Sequence, residues 1–567
     1  MKMVKQGLTI TLIALQVWQP VLAGVVASNP QITQDQAANG VPVVNIATPG
    51  QSGISHNTYT RFDVDRQGLI LNNSGQPVNT QLGGFIPGNA NLHSGSARLI
   101  LNEVSGNLPS QLKGYMEIAG QKAEMIIANP AGITCDGCGF INTSRGTLTT
   151  GKPLFGSDGS LNGFRVEDGM LAIDGLGLNA SNTDRLNLYS RALVLNAELH
   201  ARDVNVMTGT NDINVVNGVV TPTASGSTTP TFSIDSSSLG GMYANRIRLV
   251  GTEAGVGMRL AAPVAAMNGN LEITSNGDVR LVRASATQRV DVRAEGNVAI
   301  DSDGAGDRDG ISSGAGTTLR ATGAVTLASG ADITGTVIGL MADSVDTEND
   351  SDIAARGALV IDAANMQLAG TIASRQTITL TGNTLANQGQ MAANTGLTIT
   401  ASSLDNSGRI SSAGGNGRLT VAGELRNDGG IIQQAGTLDI TAAGVSSING
   451  AIAANGNLSI AATNTSVDNT GGLLQGNTGI FVRATGLVNS SGEVVSNGDI
   501  HLLLDDGAID NRNGLIETLG NIDLLAKGLL QNSGGRFRSG ADMTFTLDAF
   551  DRALAGGSFA ADGLWKI

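Results

Sequence analysis

Aromatic residues make up only 3% of the 567 positions and charged residues only 14%. A globular enzyme of this length would bury more large aromatic side chains. A disordered chain would carry more charge and proline and fewer aliphatic residues, yet 41% of this one is hydrophobic and only 12 residues are proline. Basic residues are scarce as well: 34 Lys and Arg against 48 Asp and Glu leave a net charge of −14. Phosphate recognition needs clustered cations, so the balance argues against a nucleic-acid partner. Past the first residues, no run approaches the roughly 20 apolar residues that cross a bilayer as a helix. What the chain has in plenty is glycine, 78 residues, among small and β-branched side chains that suit narrow, stacked strands.

Residues 1–23 read as a secretory signal peptide. Lys2 and Lys5 precede a short apolar run from Gly7 to Val17, and Val21-Leu22-Ala23 offers a small-residue cleavage site. Export bears on the only two cysteines, Cys135 and Cys138. In an oxidising compartment Cys-x-x-Cys reads as a short disulfide clip; the alternatives are a redox pair or half a zinc site. The four histidines, His56, His93, His200 and His501, are scattered singly and complete no zinc set.

The second half repeats. An asparagine in an apolar-x-Asn turn recurs at Asn387, Asn406, Asn427, Asn449, Asn469, Asn489, Asn511 and Asn532, with gaps of 19, 21, 22, 20, 20, 22 and 21 residues. On the same beat comes an alternating strand, such as Leu397-Thr-Ile399, Leu419-Thr-Val421 and Leu458-Ser-Ile460. Period-2 alternation turns one side of each strand inward. A unit of about 20 residues cannot bury that side alone, so units must stack as a solenoid. With no helix-period segment between the strands, the fold class is all-β: a right-handed parallel β-helix with short extra-helical loops and hairpins. The asparagines are assigned to a structural ladder inside the bends. At about 4.8 Å per coil, about 25 coils would make a rod on the order of 120 Å. Residues 266–370 are expected to be irregular coils, 371–545 regular repeats of about 21 residues, and 546–567 a tail.

The region before the repeats carries distinctive strings: Val41-Pro-Val-Val-Asn-Ile46, Gly68-Leu-Ile-Leu-Asn-Asn73, Ile126-Ile-Ala-Asn-Pro-Ala-Gly-Ile133, Gly139-Phe-Ile-Asn-Thr-Ser-Arg145 and Asp184-Arg-Leu-Asn-Leu-Tyr-Ser-Arg191. Together and in this order, they resemble the secretion (haemagglutination activity) domain of two-partner-secretion exoproteins, the filamentous-haemagglutinin-like family. The domain is placed at 24–265. The resemblance implies recognition by a dedicated outer-membrane β-barrel transporter, folding outside the cell, and release or attachment at the outer surface of a Gram-negative bacterium. The family's Asn-Pro-Asn-Gly-Ile secretion motif falls on Asn129, Pro130, Ala131, Gly132 and Ile133, with alanine in third place. The motif can act as a turn needed for folding or as a direct transporter contact. A family Asn-Pro-Asn-Leu motif is not present.

No catalytic constellation stands out, and neither an enzyme activity nor a cofactor is expected. The best metal candidate is weak: Asp301, Asp303, Asp307 and Asp309 could wrap calcium, but Ser312 occupies the place of the closing EF-hand glutamate. The blander reading is a solvated acidic loop. The expected function is a secreted adhesin-like rod that meets a host-cell or bacterial receptor. The alternatives are the scaffold of a contact-dependent growth-inhibition toxin, or a secreted haemolysin.

Overall fold

Each turn of the chain visits three faces, and each face hydrogen-bonds in parallel to the same face of the next turn. In the computed structural model, Gln390–Ala393, Gly396–Ala401 and Ser403–Asn406 make one such coil. They pair with Arg409–Ser412, Gly417–Val421 and Glu424–Arg426 of the following one. The structure describes residues 24–567 except 225–226, 305–308, 506 and 549–555. The signal peptide and Asp307 therefore lie outside the described residues. The parallel β-solenoid runs to about 22 turns, a rod of roughly 100 Å at the usual strand spacing.

Alternation within each short strand sends every second side chain into the triangular interior. Parallel register then aligns those side chains from coil to coil. One column runs Ile399, Leu419, Ile440, Ile460, Val482, Leu502, Leu524 and Phe545, each almost wholly buried. Burying one such side chain is worth about 1.5–3 kcal/mol against exposure. A coil supplies several, and its neighbours complete the burial.

The stretch 266–370 corrects the expectation of irregularity. Its coils stay in register: Leu271 pairs with Val290, Val290 with Thr317, Thr317 with Ile338, and Ile338 with Leu359. Val337–Thr347 and Leu359–Leu368 even run through a corner unbroken, each serving two faces. The solenoid also continues past Phe545, where a tail was expected. Ser558–Ala561 pairs with Arg536–Ser539, and Trp565–Lys566 with Met543–Leu547.

At the N-terminal end, two antiparallel pairings cover the first coil. Val25–Ala27 lies against Ile54–Phe62, and the polar, fully exposed strand Thr33–Gln36 lies against Pro42–Asn45. Unpaired sheet edges recruit other chains, so a polar antiparallel cover protects this one. A separate four-stranded antiparallel sheet sits on the outside of the solenoid. It consists of Lys152–Phe155, Leu161–Val166, Asn211–Asn214 and Val220–Pro222.

Candidate functional site

The Asn129–Ile133 motif closes a corner between two strands. Asn129 is completely buried. Its Nδ2 donates to the Leu108 carbonyl and to Ser110 Oγ, both at 3.0 Å, while its Oδ1 accepts from the Ala131 amide at 3.0 Å. The Gly132 amide donates to the Asn129 carbonyl, and the Ser110 amide to the Gly132 carbonyl. Gly132 holds φ of +117°, a backbone conformation that side-chain-bearing residues rarely adopt. Ala131, in the third place, contributes its backbone amide to the turn. Every polar atom of the Asn129 side chain thus serves the turn, and none faces solvent.

Two residues beyond the motif, Cys135 and Cys138 are joined by a disulfide, and both are buried. Nearby, Arg191 makes a two-pronged ion pair with Glu253, with contacts of 2.9 and 3.2 Å. The hydrogen bonds it donates to Glu253 hold the guanidinium pKa above its ordinary value. Arg191 also reaches Ser227, tying the solenoid to the polar loop after the extra-helical sheet. Spacing gave no signal for this pair, because its members lie 62 residues apart.

The asparagine ladder is real geometry with one misassigned rung. Asn387 donates to Asn406, Asn406 to Asn427, Asn469 to Asn489, Asn489 to Asn511, and Asn511 to Asn532, at 2.6–2.7 Å. Between Asn427 and Asn469 the rung is the buried Ser447, which accepts from Asn427 Nδ2 at 3.2 Å. Asn449 lies two residues on, exposed in the turn at φ +53°. The next rung, Asn469, leaves its Oδ1 buried without a hydrogen-bond donor among the described residues.

The acidic loop is bound to the protein's own cations. Asp301 pairs with Arg280, while Asp303 and Asp309 both pair with Arg283. Burial pushes the Asp309 carboxyl up, but hydrogen bonds from Arg283, Ser302 and the Asp303 amide hold it below its ordinary pKa. Among the described residues no group of three metal-ligating side chains converges.

With the stacked coils, covered first edge and corner motif established, comparison with known proteins places the chain. Residues 23–281 match the family described as TPS secretion domain. The chain is a two-partner-secretion exoprotein. Relatives of this exoprotein include the 16S rRNA endonuclease CdiA of Enterobacter cloacae, 46% identical over 312 residues, 52% of this chain and 9% of that protein. The tRNA nuclease CdiA-2 of Burkholderia pseudomallei is 49% identical over 262 residues, 46% of this chain and 8% of that protein. The tRNA nuclease CdiA of Yersinia mollaretii is 44% identical over 323 residues, 55% and 11%. The chain therefore spans about a tenth of the length of the curated relatives it matches. Among solved structures, the filamentous hemagglutinin secretion domain is 30% identical with a TM-score of 0.48, covering 53% of this chain and 99% of that one. The HMW1 secretion domain from Haemophilus influenzae is 12% identical with a TM-score of 0.24, covering 96% and 99%.

Proposed function

We propose that the chain is exported through a dedicated outer-membrane β-barrel transporter and folds outside the cell as a surface rod, each coil templating the next. The observation that carries this reading is the continuous parallel ladder beneath a TPS secretion domain. A solenoid's contacts lie mostly between neighbouring coils, so a chain emerging end-first can fold as it emerges. Apolar burial in each finished coil opposes its return. In this reading the Asn129–Ile133 motif works by closing its corner, since its side-chain bonds are all internal.

Co-expression with a two-partner-secretion transporter tests both points. Extracellular protein should appear only when the transporter is present. Asn129→Ala should lower extracellular yield and also destabilise the purified protein on refolding. Normal refolding with lost secretion would instead assign the motif to direct recognition by the transporter.

Of the distal roles, the scaffold of a contact-dependent growth-inhibition toxin gains most from the comparisons, since the matched relatives are named as toxins and nucleases. A secreted adhesin rod remains the second reading, supported by the long stacked solenoid. The two separate in a competition experiment: the full-length gene product of a toxin scaffold inhibits neighbouring cells on contact, whereas an adhesin increases aggregation or attachment without killing.

A further inference from the structure

The four-stranded sheet outside the solenoid joins it in one buried apolar cluster that includes Phe164, Ile213, Ile126 and Met207, and the packing there is incomplete. Between sheet and solenoid is a cleft of about 540 Å³, within the range of small-molecule sites. One wall is the outer side of the solenoid, where Ile126, Thr147, Asn187 and Asn205 line the cleft; the other is Leu161, Phe164 and Ile213 of the added sheet with Val215 just after its third strand. Arg98, Arg145 and Arg185 also line it, against a single carboxylate, Glu124, in a chain whose net charge is −14.

The charges are unequally spent. Arg145 lies 3.5 Å from Glu124, and Arg98 donates to the Ser52 carbonyl. Arg185 makes no ion pair among the described residues. Arg145 and Arg185 are lateral partners on adjacent parallel strands, as are Thr147 and Asn187, so the Cα atoms of the two pairs lie one alternation step, about 6.6 Å, apart along the strands. Asn187 is only 6% exposed. Its Nδ2 donates to Thr147 Oγ1 at 3.2 Å, while its Oδ1 is buried with no hydrogen-bond partner among the described residues. Leaving such an atom unpaired is costly, and a ligand that supplies its partner recovers that cost.

We propose that this cleft binds an amphiphilic hydroxy acid: a carboxylate at Arg185 and Arg145, a hydroxyl at Asn187, and an apolar chain between the solenoid and the added sheet. A hydroxyl suits the site better than an amine. It donates to the amide oxygen, carries no positive charge beside two arginines, and satisfies the amide in either orientation. The apolar wall, extended at the rim by the exposed Val216, takes the chain. The site is independent of the transporter and of any distal activity.

The test is calorimetric titration of the purified full chain with 3-hydroxydecanoate, decanoate and the methyl ester of 3-hydroxydecanoate. The hydroxy acid should bind saturably at one site, and both decanoate and the ester should bind about tenfold more weakly. Asn187→Leu should erase the preference for the hydroxylated acid. Arg185→Gln, a change at an exposed position, should weaken both acids about tenfold with melting unchanged. Absence of saturable binding, or equal binding by the Arg185→Gln variant, overturns the proposal. Should Asn187→Leu fail to fold, the Arg185→Gln titration and the ester decide it.

Discussion

Asn489 donates its side-chain amide to Asn511 Oδ1 at 2.7 Å while itself accepting from Asn469 Nδ2, and all three side chains are fully buried. Each nitrogen has further carbonyl partners, Gly492 and Leu515 in the case of Asn489. Replacing Asn489 with alanine strands the Asn511 Oδ1 acceptor and leaves Asn469 Nδ2 with its two carbonyl partners, Gly472 and Glu493. It should cost about 1–3 kcal/mol, the penalty for one buried acceptor left unpaired. Hydrogen exchange is the measurement of choice, because a solenoid opens locally; protection should fall most in the coils around residue 489.

Ser447 gives the converse experiment. It accepts from Asn427 but leaves Asn469 Oδ1 unpaired. Ser447→Asn should pass the chain of amides through and stabilise these coils by about 1 kcal/mol. An unchanged or lowered denaturation midpoint would show that the coil cannot hold the longer side chain.

Gly492 follows the Asn489 rung by three residues, and a Cβ there would stand 2.1 Å from the Asn469 carbonyl oxygen. Gly450 and Gly514 face their preceding rungs at 2.0 and 2.2 Å. Gly492→Ala should therefore cost about 1–3 kcal/mol by forcing backbone apart, although its φ is not in the left-handed region. Chemical denaturation of the variant checks this.

The disulfide closes a loop of four residues, Cys135 to Cys138. Loop-closure entropy for so short a ring is about 2 kcal/mol. Changing both cysteines to alanine should lower local stability by roughly that amount while the solenoid still forms. Exchange protection in the flanking strands Ala123–Ala128 and Thr143–Thr149 reports it.

Asp309 predicts an acid limb. Its folded pKa lies below the ordinary value, so its contribution is complete above the unfolded value, about 3.9. It disappears as pH falls through the folded value. Asp309→Asn should reduce stability at neutral pH and flatten the loss below about pH 4, measured as melting temperature against pH.

Strand alternation and the 19–22-residue beat made the solenoid legible, because both are local signals. The asparagine beat starts at Asn387 for a specific reason. Its column continues backwards through Leu368, Thr347, Leu327, Ile300, Leu281 and Leu260, where five apolar residues and one threonine fill the place without a recognisable letter. Asn449 was misplaced because Ser447-Ile-Asn-Gly450 puts an asparagine in the turn and a serine on the rung. The corner motif and the cysteines could be found as strings. The cleft could not, because it depends on Leu161–Val166 pairing antiparallel with Asn211–Asn214 across 44 intervening residues. Asn187 gave no warning either, since alternation alone would place it on an outer surface.

Because every rung occupies the same place in its coil, the rod is a ruler whose graduations can be removed one at a time. Deleting residues 447–468 would take out one whole coil and seat Asn469 directly on Asn427. The shortened rod would lose a single step of length, about 4.8 Å, and would gain an unbroken line of amides from Asn387 to Asn532.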